Sequence, residues 1–188
     1  PYYNKPTQEG LLAHYRTVAD EVELPLMVYN IPGRTASNVL PDTLATLALH
    51  PLIVGVKEAS GNLEQMAEVI RVCPSDFVVL SGDDALTLPL LAIGGQGVIS
   101  TTSNVAPDAM CELTQAFRDA DLKRAQKVHY RLLPLFDALF RETNPIPVKA
   151  ALAEMGLIES EIRLPLLPLS EPHREPLRVA LKMLGLLE

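Results

Sequence analysis

Four short apolar runs punctuate the first half of the chain. They are LPLMVYN (24–30), LIVGVKEAS (52–60), FVVLSGDD (77–84) and GVISTTSN (97–104). Each is a near-continuous aliphatic segment of strand length, as in parallel strands buried on both faces. Amphipathic stretches fill the gaps. Leu11, Leu12, Tyr15, Val18, Ala19 and Val22 share one helical face behind Thr7, a suitable cap. A short helix is predicted after Pro41, over 42–49. Asn62 can cap a third, running through Leu63, Met66, Val69 and Ile70. A fourth covers 84–93 and stops at Gly94 and Gly95. Strand–helix alternation of this kind predicts α/β architecture with right-handed crossovers.

The pattern changes at about 107. Residues 107–142 carry helical periodicity and no strand, with Leu122, Val128, Leu132, Leu135 and Leu139 in heptad-like spacing. A further helix is predicted over 144–156, a proline-broken loop over 164–172 and a last helix over 174–187. The expected organisation is four βα units over 1–106, then the last barrel helix and a helical extension over 107–188. Four βα units are half of an eight-stranded barrel. A doubly wound four-stranded sheet is the alternative, and a half barrel leaves two sticky open edges. Tyr29, Lys57, Ser81 and Ser100 all fall at strand C-termini, which favours the barrel, because (β/α)₈ enzymes build their sites on that face.

Composition narrows the function classes. The chain has 188 residues, 48% of them hydrophobic and 21% charged, which is ordinary for a globular domain. A net charge of −7 argues against nonspecific binding to nucleic acid or anionic membrane. No apolar run reaches the ~18 residues of a membrane span. Cys73 and Cys111 stand far apart without CxxC spacing. They read as two small buried hydrophobes of a reduced, cytoplasmic protein. His14, His50, His129 and His173 show no ligand spacing, so no metal is expected. The chain starts PYYNKPTQEG, with no Met and no signal-peptide pattern. It reads as the C-terminal portion of a longer protein.

Lys57 is the sharpest chemical candidate. It follows five apolar residues, Leu52 to Val56, so it is expected to be desolvated. Desolvation disfavours its charged form, and a neutral amine attacks ketones to give an iminium, an electron sink for C–C bond chemistry. Against this, Lys57 could lie just past the strand, solvated or paired with Glu58. Tyr29 is a candidate proton donor and acceptor, or a core tyrosine with a satisfied hydroxyl. Arg34 follows the turn Ile31-Pro32-Gly33, where a guanidinium suits a substrate carboxylate, or a surface salt bridge. Ser81-Gly82-Asp83-Asp84 reads as a helix start, with Gly82 a place where a ligand could approach backbone. Gly94, Gly95 and Gly97 lack GxGxxG order and read as a helix stop and strand entry. On these residues alone both readings of Lys57 stay open.

Six stretches together carry a resemblance: PYYNKPTQEG, VYNIPGRTASN, VGVKEASGN, LSGDDA, GGQGVISTTSNVAP and NPIPVKAAL. In this order, and nearly end to end, they resemble the dihydrodipicolinate synthase family of pyruvate-dependent lyases, which includes N-acetylneuraminate lyase. The resemblance implies a (β/α)₈ barrel with a helical C-terminal extension. It implies condensation of pyruvate with aspartate 4-semialdehyde on the route to lysine, with no cofactor beyond the covalent Schiff base. By motif, Lys57 matches the Schiff-base lysine and Tyr29 the proton-shuttling tyrosine. Arg34 matches the arginine that binds the semialdehyde carboxylate. Tyr3 matches a tyrosine that reaches a neighbouring subunit's site and completes a Thr-Tyr-Tyr relay. Gly82 and Ile99 match positions lining the pyruvate pocket. Tyr2 matches a dimer-interface position beside the lysine-inhibition site of regulated members. A homodimer, paired into a homotetramer, follows from the same resemblance.

The family's first half-barrel, with the adjacent threonines of its GTTGE motif, is not in this sequence. The 188 residues alone are expected not to fold into a stable, active enzyme. Two other readings remain: a sibling aldolase acting on a sugar-derived 2-keto acid, and a noncatalytic half-barrel or binding module.

Overall fold

The computed structural model describes residues 1–188. The chain forms two compact units, Pro1–Ile99 and Ser100–Glu188. That division lies ahead of the 106/107 boundary expected from the sequence.

The first unit is built on four parallel strands in sequential order: β1 Leu26–Asn30, β2 Ile53–Glu58, β3 Val78–Ser81 and β4 Gly97–Val98. Its helices are α1 Gln8–Val22, α2 Pro32–Thr35, α3 Pro41–Leu47, α4 Leu63–Val72 and α5 Thr87–Ala92. Sequential parallel order requires a crossover between every pair of strands, and helices supply it. Two caps sit where the sequence places them. The Thr7 side chain accepts from Gly10 N at 3.2 Å, and the Asn62 side chain accepts from Gln65 N at 3.1 Å.

Strand burial decides between the two sheet architectures. Val28, Val56 and Val79 form one cross-strand row and are at most 1% exposed. They share a core with Leu11 and Ala19 of α1, Leu44 and Leu47 of α3, Met66 and Val69 of α4, and Leu90 of α5. Burying each valine, leucine or methionine side chain among them contributes roughly 1.5–3 kcal/mol. The alternate positions behave differently. Met27, Lys57, Val78 and Leu80 are half-buried, while Tyr29 and Ile99 are exposed. Helices therefore cover one face of the sheet only. A doubly wound sheet carries helices on both faces, whereas a barrel wall carries them on the outside. The strands are thus not buried on both faces within this chain.

Three sequence expectations are corrected here. The fourth strand stops at Val98, short of 104, and Thr102–Asn104 is a 3₁₀ turn. Ser103 N donates to Ser100 Oγ at 2.9 Å, so the polar run STTS closes on itself instead of extending a ladder. The helix expected over 84–93 is two pieces, a 3₁₀ turn at Asp84–Leu86 and then α5. The turn after β1 closes into α2, with Arg34 N and Thr35 N both donating to the Ile31 carbonyl.

The second unit holds α6 Pro107–Arg118, α7 Leu122–Leu139, α8 Ile146–Glu154 and α9 Glu171–Met183. The periodicity over 107–142 therefore covers two helices. Ala120 takes a left-handed φ of 59°, and the Asp121 side chain caps α7 by accepting from Arg124 N at 3.0 Å. The last helix starts at Glu171, ahead of Arg174, because Pro172 fits a first helical turn. Leu135, Leu139, Ala151, Leu177 and Leu181 form the heart of this unit's core. Neither cysteine is a buried core residue: Cys73 is half-buried and Cys111 exposed. No helix is long and apolar enough to cross a membrane.

Candidate active site

Parallel register brings the chemistry together at the strand ends. Tyr29 pairs with Lys57, and Lys57 pairs with Leu80. Side chains in one cross-strand row share a face. Lys57 Nζ lies 4.1 Å from the centroid of the Tyr29 ring, over its face. An ammonium there is attracted by the ring quadrupole. Lys57 is half-buried, so the sealing expected from its five apolar neighbours is not found within this chain. Of those neighbours Ile53, Gly55 and Val56 are buried, whereas Val54 is exposed.

The next row runs on the opposite face. Asn30 pairs with Glu58, and Glu58 with Ser81. All three are at most 1% exposed, so their polar atoms need partners inside the protein. Asn30 Nδ2 donates to Glu58 Oε2 at 3.0 Å, and Gln65 Nε2 donates to the same oxygen at 3.3 Å. Ser60 N donates to Glu58 Oε1 at 2.7 Å. Asn30 Oδ1 accepts from Val39 N at 3.0 Å. Asn38 and Gln65 exchange side-chain hydrogen bonds of 2.8 and 3.1 Å. The carboxylate of Glu58 is therefore committed behind the sheet, and it makes no ion pair with Lys57 in front. The sequence reading passed over Asn30, Asn38 and Gln65. The available signal was Asn30 and Glu58, polar residues each directly after a candidate catalytic residue in an apolar run.

Gly82 lies against the lysine. A β-carbon at Gly82 would meet Lys57 Cγ and Cε at 3.2 Å and Ala59 Cβ at 2.6 Å. Gly82 N donates to the Glu58 carbonyl at 2.7 Å, which continues the ladder past β3. Ile99 continues it past β4, donating to the Ser81 carbonyl at 2.9 Å. Ser81 and Asp83 make a local cap: Asp83 Oδ1 accepts from Ala85 N at 3.0 Å. The helix-start reading of that segment holds. Gly94, with φ of 110°, stops α5, and Gly97 opens β4.

Arg34 is exposed on α2 and takes part in no ion pair, so the surface salt bridge weighed for it is not formed. Tyr2 and Tyr3 lie ahead of α1, 75% and 77% exposed, and neither joins Lys57 or Tyr29 by a hydrogen bond or ring contact. Tyr3 holds a left-handed φ of 74°. No three His, Cys, Asp or Glu side chains cluster where they could hold a metal ion. His50 hydrogen-bonds Asp20 at 3.0 Å, and His129 packs on Tyr130 and Phe136, where burial lowers its pKa.

Comparison with known proteins agrees with this fold. The Dihydrodipicolinate synthetase family matches residues 1–184. The 4-hydroxy-tetrahydrodipicolinate synthase of Thermodesulfovibrio yellowstonii is 54% identical over the whole chain, which covers 65% of that relative. The crystal structure of dihydrodipicolinate synthase from Thermotoga maritima superposes with a TM-score of 0.96 at 52% identity, over 100% of this chain and 65% of that one. The chloride-inhibited synthase from Acinetobacter baumannii, solved in complex with pyruvate, superposes with a TM-score of 0.96 at 48% identity. The chain covers 64% of that structure and is itself covered in full. It thus spans about 65% of the length of the relatives it matches. Its four βα units and the helices after them are the C-terminal half of a (β/α)₈ barrel with a helical extension. Matched along nearly all its length, the chain belongs to the Dihydrodipicolinate synthetase family.

Proposed function

We propose that the intact protein condenses pyruvate with L-aspartate 4-semialdehyde through a Schiff base on Lys57. The product is 4-hydroxy-tetrahydrodipicolinate, and the role is lysine (diaminopimelate) biosynthesis. The observation that carries this reading is the Tyr29–Lys57 pair: a strand-end amine 4.1 Å above the ring of its register partner. The Lys57 amine attacks the pyruvate ketone, water leaves, and an iminium forms. Loss of a methyl proton gives the enamine, whose carbon attacks the aldehyde to make the new C–C bond. The semialdehyde's own amino group then attacks the regenerated iminium carbon, closes the ring and expels the Lys57 amine. Tyr29, alongside, is the group within reach to carry protons in these steps. Arg34 offers an exposed guanidinium, free of an internal partner, for the semialdehyde carboxylate. Gly82 and Ile99 border the same end of the sheet.

The protein needs no metal or added cofactor in this reading, because the iminium itself is the electron sink. It works as a homodimer or homotetramer in the cytoplasm, with Tyr3 completing a neighbour's proton relay and Tyr2 beside a regulatory interface. The A. baumannii relative, solved with pyruvate, supports the first substrate. The abundant relatives named as synthases support the second.

Borohydride reduction of the intact protein with pyruvate tests the reading. A pyruvyl mass gain is expected on Lys57, and Lys57→Ala abolishes it. Arg34→Ala keeps the adduct and raises the KM for the semialdehyde by ~10²-fold, the order of a lost charge-assisted contact. If the intact protein acquires no pyruvyl mass on Lys57, the proposal is wrong. Turnover of N-acetylneuraminate or 2-keto-3-deoxygluconate in preference to the semialdehyde would move it to a sibling aldolase.

A further inference from the structure

Asn30 and Glu58 are register partners, one residue beyond the Tyr29–Lys57 pair on the same two strands. One pair faces the candidate site and the other faces the helices. The rear pair is tied by a side-chain hydrogen bond of 3.0 Å, and both residues are at most 1% exposed. Each has further anchors. Glu58 also takes Ser60 N and Gln65 Nε2, while Asn30 Oδ1 takes Val39 N. The Ala59 amide donates to the Asn30 carbonyl at 2.8 Å, so backbone and side chains grip the same point.

The physical consequence concerns register. A strand side chain alternates faces with a period of two, so a one-residue slip of β1 against β2 would turn Tyr29 away from Lys57. The aliphatic rows resist such a slip through burial, since it would take Val28 out of the core, and through the close fit of Met27 against Gly55, but neither contact is directional. The Asn30–Glu58 bond is directional, and breaking it leaves a buried carboxylate short of a donor. It is the specific lock at the end of the strands where the chemistry sits.

We infer that Asn30 and Glu58 are positioning residues, which hold the Tyr29 ring and the Lys57 amine in contact from behind the sheet. The inference rests on the Schiff-base reading of Lys57. Neither residue touches substrate, and both act through the residue before them.

The test uses the intact protein and the rate of borohydride-trapped pyruvyl adduct on Lys57, measured across pyruvate concentrations. Glu58→Gln replaces one acceptor oxygen with a donor, which meets either Ser60 N–H or the amides of Asn30 and Gln65. Expected is a fall of ~10-fold or more in the limiting trapping rate, as for small misplacements of a reacting group. The pyruvate half-saturation should change less than the rate. The compensating variant N30D/E58Q reverses the polarity of the bond, with the new amide donating to the new carboxylate. Because Asn30 Nδ2 also donates to Asn38 Oδ1 at 2.9 Å and Gln65 Nε2 to Glu58 Oε2 at 3.3 Å, the paired Asn38 and Gln65 amides turn over with it. It is expected to recover most of the lost rate. Gln65→Ala, which removes a secondary donor, should stay within about three-fold of the parent.

An unchanged trapping rate in folded Glu58→Gln overturns the inference and leaves the Schiff-base reading standing. No adduct in the parent sinks the Schiff-base reading itself. If Glu58→Gln does not fold, N30D/E58Q decides. Recovered folding with recovered trapping supports the lock. Recovered folding without trapping, or no folding in either variant, makes the pair a structural support only and overturns the positioning role.

Discussion

Gly82 packs its backbone against the stem of Lys57, and there is no room between them for a methyl group. A β-carbon at 82 would stand 3.2 Å from Lys57 Cε and 2.6 Å from Ala59 Cβ. The lysine stem can swing aside, but Ala59 Cβ is fixed to backbone that is itself hydrogen-bonded to Asn30. Gly82→Ala should therefore cost about 1–3 kcal/mol through overpacking. It should also displace the amine and slow pyruvyl trapping ~10-fold or more. Thermal melting and the trapping rate check the two effects separately. A variant that melts and traps like its parent would show that the strand ends relax freely.

The Tyr29 ring and its hydroxyl have separable roles. The ring lies under the Lys57 amine, so Tyr29→Phe keeps a contact of about 0.5–1 kcal/mol. Pyruvyl adduct should still form in Tyr29→Phe, while turnover falls by ~10²-fold for want of a proton carrier. Tyr29→Ala should lower both. Equal turnover in Tyr29→Phe and parent would remove the hydroxyl from the mechanism.

In the second unit, Glu112 of α6 bridges two arginines of α7. It accepts from Arg131 at 2.7 Å and from Arg124 at 3.2 Å. The hydrogen bond from Arg131, then that from Arg124, holds its carboxyl below the usual glutamate value. A carboxylate depressed in the folded state contributes stability above its unfolded pKa of ~4.3 and loses it as pH falls through the lower folded value. The groups are partly exposed, so the contribution is under about 1 kcal/mol. Glu112→Gln should melt slightly below the parent at pH 7, and the two should converge as pH falls through the lowered folded value and the carboxylate is protonated. A difference that persists at low pH would assign the effect to packing.

The two thiols should separate by reactivity. Burial pushes the Cys73 thiol up to about 11, whereas Cys111 is exposed on α6. At pH 8 a thiol with that value is only ~0.1% thiolate, the reactive form. Dithionitrobenzoate should label the folded protein in a fast phase that Cys111→Ser removes, and in a second phase slower by at least ~10²-fold. Fast labelling in Cys111→Ser would show that Cys73 opens readily to solvent.

Much of this protein was legible along the chain because its signals are local. Thr7 and Asn62 cap helices through bonds to residues three positions on, a geometry that depends on no distant neighbour. The aliphatic runs mark β1, β2 and β3, and Gly94 marks the end of α5. Where local polar bonding competes with a ladder, the reading failed: Ser100 and Ser103 bond each other and end β4 early. The break between α6 and α7 was also hidden, since it turns on the left-handed Ala120, a residue with no intrinsic turn preference.

By itself the sequence determined the strands β1 to β3, the principal helices and their order, and that Lys57, Tyr29 and Gly82 stand at strand ends. Only tertiary structure decided which face each side chain takes, because facing follows from register, and register from pairing across distant segments. That is why Lys57, read from its neighbours as sealed in apolar surroundings, lies half-buried over the Tyr29 ring. It is also why Glu58, adjacent in sequence, is turned to the other side of the sheet and bonded to Asn30. Helices on one face alone then separate a barrel wall from a doubly wound sheet, a distinction that apolar runs cannot make.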